Sequence, residues 1–145
     1  MSEYTTRDHT SNQLTVQYDR SIVFIGSNEF KQMTYASQGA DTSLPMGTVM
    51  GRVNATGEVV ELKSAADDGS QYPYGILASG MDITAGDQPT LSICVAGEVN
   101  AGKVSFDGSD TVATVVDGRR LDDRIASDTV GIVLVETTEL SQADN

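Results

Sequence analysis

The sequence predicts a mainly β domain with one short helix and an extended N-terminal arm. Three observations predict it. Glycine-bearing turns recur along the chain, at Gly26-Ser27-Asn28, Gly51, Gly57, Asp68-Gly69, Gly86-Asp87, Gly102, Asp107-Gly108 and Asp117-Gly118. The stretches between them are short and rich in β-branched residues, which is the spacing of an all-β domain. The first thirteen residues are polar throughout, so they are expected to order only against a partner.

The elements follow from period-2 alternation. Over 14–18, Leu14, Val16 and Tyr18 share one face, with Thr15 and Gln17 on the other. Residues 21–25 form a continuous apolar run fit for burial on both faces. Over 30–35, Phe30, Gln32 and Thr34 oppose Lys31, Met33 and Tyr35. Residues 48–53 and 58–62 flank Asn54-Ala55-Thr56-Gly57 and read as a hairpin. The clearest strand is 90–99, with Leu91, Ile93 and Val95 against Ser92, Cys94 and Ala96. Residues 111–116 repeat the pattern through Val112 and the Val115-Val116 pair, and 129–136 make a last apolar strand. The helix is expected after Asp117, which can cap a turn beginning near Gly118 and Arg119. Leu121 and Ile125 then share one face, and packing must hold so short a helix.

Length and charge set the class. A chain of 145 residues, 39% apolar, fits one domain, or one domain and an arm, with a core that needs no staple. One cysteine excludes an internal disulfide and a multi-cysteine zinc site, and one histidine removes most histidine-based chemistry. No run of about 18 apolar residues exists to cross a membrane. Residues 1–13 hold no apolar signal core, so no secretory signal is expected there. The net charge of −12 repels phosphate backbones. Neither a nucleic acid nor a membrane is therefore expected as a partner. Residues 1–43 carry five acids and three bases, whereas 44–145 carry sixteen and six. That break divides the chain into an N-terminal segment, 1–43, and an acidic core, 44–145.

Catalytic equipment is sparse. Gly97 to Lys103 matches a phosphate-binding loop up to its last position, where Val104 replaces the required hydroxyl. The residues that follow read as a strand and turn rather than the helix that motif needs. The Asp-rich turns at Asp67-Asp68-Gly69, Asp107 to Asp110 and Asp122-Asp123 lack the ligand spacing of a calcium loop. His9 lies in the polar N-terminal stretch, where no catalytic triad is preorganised. Cys94 sits mid-strand as a small buried hydrophobe. Asn54-Ala55-Thr56 is a formal glycosylation triplet that reads as a turn. Tyr72-Pro73-Tyr74 is the densest aromatic cluster, suited to a strand entrance or to a sugar or protein contact. No catalytic residue, metal or cofactor is expected.

One stretch carries a family likeness. Leu44-Pro45-Met46-Gly47-Thr48-Val49-Met50-Gly51-Arg52-Val53 runs through the Gly57 turn to Ala65-Ala66-Asp67-Asp68-Gly69-Ser70, then to Gln71-Tyr72-Pro73-Tyr74-Gly75-Ile76-Leu77. This pattern, with the later Ser92 to Val99 strand, resembles the lambda-type head decoration proteins of tailed bacteriophages. The shared positions are Gly47, Gly51, Gly57, Asp68, Gly69, Gly75, Ile76 and Leu77. The resemblance implies a β-clip, or β-tulip-like, fold and a homotrimer. It implies binding to the major capsid protein on the outer surface of the virion head, at three-fold or quasi-three-fold positions, and no catalysis. An arm with a β-prone stretch suits strand addition, so Tyr4, Thr5, Thr6, Leu14, Val16 and Tyr18 are the expected capsid contacts. A different cement family or a tail component of the virion is one competing reading, and two alternatives come from other classes. One is a trimeric β-clip hydrolase like a dUTPase, for which the tail lacks the expected glycines and arginine. The other is a carbohydrate- or host-surface-binding module of the virion using Tyr72 and Tyr74.

Overall fold

A computed structural model describes residues 23–135. Two long strands form its spine: β1 (Phe24–Thr34) and β7 (Thr90–Asn100). They pair antiparallel from Phe24↔Val99 to Thr34↔Thr90. The described end of the expected 21–25 strand and the expected 30–35 strand are therefore one strand, interrupted by a bulge rather than a turn. Ser27 adopts a positive φ of 53° and faces Gly97, whose φ is 112°. A Cβ on Gly97 would stand 2.6 Å from Asn28 Cα, so only glycine lets the two backbones pass there. The same Gly-Ser-Asn chemistry serves a turn and a bulge alike, which is why alternation alone reads a break. The 14–18 strand lies outside the described residues.

Between them come β2 (Thr42–Leu44), β3 (Val49–Arg52), β4 (Val59–Glu61), β5 (Pro73–Leu77) and β6 (Met81–Ile83). After β7 follow β8 (Val115–Val116), β9 (Arg119–Arg120), the helix α1 (Leu121–Asp128) and β10 (Gly131–Val135). Among the described residues the fold is mainly β with one α-helix, as the sequence predicts. The main sheet runs β1-β7-β5-β3-β4, with β10 also on β7. β3 and β4 form the expected hairpin, Arg52↔Val59 to Met50↔Glu61. Just past β1, Tyr35 bridges Val59, and Ala36 N donates to Val59 O at 2.8 Å. The sheet therefore curls until the end of its first strand meets its last.

β7 divides its second edge between two partners. Its first half takes β5 antiparallel, Ile76↔Cys94 and Leu77↔Ile93. Its second half takes β10 parallel, from Gly131↔Ala96 to Val135↔Asn100. The central strands bury both faces. Val49, Ile76, Cys94 and Val99 meet Leu121, Ile125 and Ile132 in one cluster. Met50, Leu77, Ile93 and Val95 meet Tyr35, Leu44 and Leu91 in the other. Cys94 is accordingly a buried free thiol, pushed above its ordinary pKa by that burial.

Two expectations need correction in the last third. Of 111–116, only Val115–Val116 is strand. Thr114 Oγ1 accepts from Thr111 N, and Thr111 Oγ1 accepts from Ala113 N, so these hydroxyls hold a local turn. Asp117 does not cap the helix; it occupies the β8–β9 turn with φ 50°. α1 begins at Leu121, where the first amides are taken by backbone instead: Leu121 N by Thr114 O and Asp122 N by Val112 O. Leu121 and Ile125 are buried as their spacing predicts. β1, which precedes residue 43, pairs with β7 on both sides of its bulge.

Candidate functional site

The motif residues 47–77 come together around the β3–β4 hairpin. Gly57 closes the hairpin turn, its N donating to Val53 O at 2.8 Å. The 67–72 loop docks on it: Asn54 N donates to Asp68 O at 2.9 Å, and Gly51 lies under Ser70. A Cβ on Gly51 would fall 2.1 Å from Ser70 O, so a side chain there would lift the loop off the hairpin. Asp68 Oδ1 accepts from Ser70 Oγ at 2.6 Å and Ser70 N at 3.0 Å, and these bonds hold its carboxyl below the usual range. Gly69 sits against the Asn54 side chain, and Gly75 presses on Ile93 and Cys94. Gly47 donates to Leu77 O at 2.9 Å. Ile76 and Leu77 are fully buried, one in each core cluster. Each motif position thus sets the approach of one backbone to another, or fills the core.

That packing leaves an open groove of about 450 Å³ lined by Arg52, Asn54, Gly69, Tyr72, Pro73, Tyr74, Arg124 and Asp128. Pro73 is buried at the start of β5, so Tyr72-Pro73-Tyr74 is a strand entrance. The two rings flank it, each with a guanidinium above. Arg124 stands 4.9 Å from the Tyr72 centroid and Arg52 stands 6.0 Å from that of Tyr74. The Tyr72 hydroxyl bonds Asp117, which raises the phenol pKa. Arg124 is fixed further: Nε donates to Val116 O at 2.8 Å and Nη1 to Asp128 at 3.0 Å. One guanidinium therefore stands over each ring.

Sequence reasoning singles out Tyr72 and Tyr74 but not Arg52 or Arg124. Arg124 reaches the groove from α1, roughly fifty positions downstream, and no local pattern marks it. At the other end of β4, Tyr35 is fully buried and donates to Glu61 Oε1 at 2.6 Å. Burial first, and the Glu61 carboxylate second, push the Tyr35 phenol well above its ordinary pKa. Among the described residues, no cluster of three or more His, Cys, Asp or Glu is arranged to hold a metal. No helix of the described residues is long and apolar enough to cross a membrane. The segment from Gly97 to Lys103 ends in a single 3-10 turn, Ala101–Lys103, not the helix of a phosphate loop. Ser105 then returns to Gly47 and Val49 through two backbone bonds. The expected arm contacts Tyr4, Thr5, Thr6, Leu14, Val16 and Tyr18 lie outside the described residues.

Residues 29–119 match the family model described as bacteriophage lambda head decoration protein D, a span from β1 to the β8–β9 ribbon that covers well over half the chain. No curated protein matches.

Proposed function

The chain belongs to the bacteriophage lambda head decoration protein family, and from that premise we propose that it cements the head from outside. As a family member it is a structural component of a phage capsid. In this reading it binds the major capsid protein on the outer surface, as a homotrimer at three-fold or quasi-three-fold positions, after synthesis in the host cytoplasm. The single observation that carries the reading is the family match over 29–119. Charge supports the outer location, since a chain of −12 is repelled by packaged DNA.

The mechanism is linkage. A ligand that binds only the expanded lattice shifts the shell toward that state. At a free concentration of about 100 times Kd, one site contributes about 2.7 kcal/mol. A trimer astride neighbouring capsomers ties them together, and three attachments on one body raise avidity by about 10² to 10⁴ where geometry lets them engage at once. The N-terminal segment supplies the attachment in this proposal. Leu14, Val16 and Tyr18 share one face of a β-prone stretch, and an added strand gains affinity from main-chain bonds and register from alternate side chains.

Deleting residues 1–20 tests the proposal. The truncated chain is expected to remain folded and trimeric by sedimentation and to lose co-sedimentation with undecorated heads. Undiminished binding by the truncated chain would overturn the arm. Failure of the full chain to bind any expanded head would overturn the cement role itself.

A further inference from the structure

We propose that the groove over Tyr72 and Tyr74 is an anchor pocket for one acidic side chain, aspartate or glutamate, presented by a protein neighbour in the shell. The inference rests on the decoration reading and names the chemistry of one contact. A volume of about 450 Å³ falls within the roughly 300–1,000 Å³ of natural binding clefts. The lining pairs two tyrosines with two guanidiniums, residue types that dominate the free energy of protein interfaces.

The two cations differ. Arg124 is spent: its side chain is 11% exposed, Asp128 meets its charge at 3.0 Å, and Val116 O takes its Nε. Arg52 is exposed and lies over Tyr74, and its guanidinium makes no ion pair or hydrogen bond among the described residues. The groove therefore holds one uncompensated cation on a chain of net charge −12. A guanidinium whose N–H groups make no hydrogen bond can offer its planar edge, and that edge matches a carboxylate in a two-bond fork. The Asn54 amide in the same lining adds a further donor.

Charge selects the class of ligand. The acidic body disfavours an extended polyanion such as a nucleic acid or a polyuronate. A single carboxylate at the fork interacts at contact distance, well inside a Debye length of about 8 Å at physiological salt.

The test uses the full-length chain, undecorated expanded heads and co-sedimentation across a salt series. Arg52→Gln is expected to weaken binding about tenfold and to flatten its salt dependence. Arg52→Glu is expected to weaken it further. Arg52→Lys should recover only part of the affinity, because an ammonium keeps the charge without the fork. Melting curves should move little, since the side chain is exposed and its interaction among the described residues is an exposed contact with the Tyr74 ring; if Arg52→Gln did lower the melt, the Lys variant would carry the comparison. Wild-type affinity and salt slope in Arg52→Glu would overturn the inference and leave the decoration reading intact. A wild-type chain that binds no heads would overturn both.

Discussion

The two halves of β7 are held in opposite ways. The first half, Thr90 to Cys94, sits in regular antiparallel register with Phe30 to Thr34 on one edge and meets β5 on the other. Its apolar side chains fill both core clusters. The second half, from Ala96 to Asn100, faces the bulged part of β1 and carries a parallel partner, β10. Here a close backbone approach adds to the burial of Val99: Gly97 is present because Asn28 and Ser27 come too close for anything else. One strand can thus be fixed by burial along its length and, over one half, by the absence of a side chain at Gly97 as well.

The largest test of that contrast is Ile93→Ala, which empties a site with no solvent exposure. It should cost about 2–5 kcal/mol in urea unfolding, with the m-value unchanged. Next comes Gly97→Ala, which adds one methyl yet should cost about 2–3 kcal/mol through a strained φ and overpacking. If it proved neutral, the bulge would not depend on glycine, and the contrast would fail.

Tyr35→Phe probes the regular end. Removing the hydroxyl leaves the buried Glu61 carboxylate without that donor, at about 1–3 kcal/mol. The same pair sets an alkaline limit. The folded pKa of Tyr35 lies above its unfolded value near 10. Below about pH 10 the folded and unfolded chains bind this proton equally and its contribution is intact. As pH rises further, the unfolded chain sheds the proton first and stability falls. Wild type should therefore lose melting temperature above about pH 10 more steeply than Tyr35→Phe. The smallest effect is Asn28→Ala, which removes the Nδ2 bond to Glu98 O at 3.1 Å across the bulge. It should cost about 1 kcal/mol, read as faster amide exchange confined to the second half of β7.

The regular half was legible because strict alternation over Leu91, Ile93 and Val95 has one reading when both faces are apolar. The irregular half was not. Gly26-Ser27-Asn28 suits a turn as well as a bulge, and the apolar run at 131–135 names no partner or direction. The start of α1 was obscured for a related reason: its amides are satisfied by the Thr114 and Val112 carbonyls, and a backbone acceptor leaves no residue signature. The motif glycines were legible as positions but not as causes, since Gly51 owes its place to Ser70, nineteen positions on. Of the groove, only the tyrosines could be singled out. Arg52 and Arg124 are ordinary surface cations until the fold brings them over the rings.

The split edge of β7 also dictates when the molecule can become whole. Its antiparallel neighbour β1 is made some sixty residues before it, whereas β10 is made thirty residues after it. No local zipper can assemble the sheet, and such non-local pairing belongs to the slow regime of roughly milliseconds to seconds. A nascent chain that stops short of Val135 leaves the second half of β7 with an open edge, the kind of edge that invites pairing with a stranger. Strand β10 thus acts as a latch, closed only after the chain has been made as far as Val135.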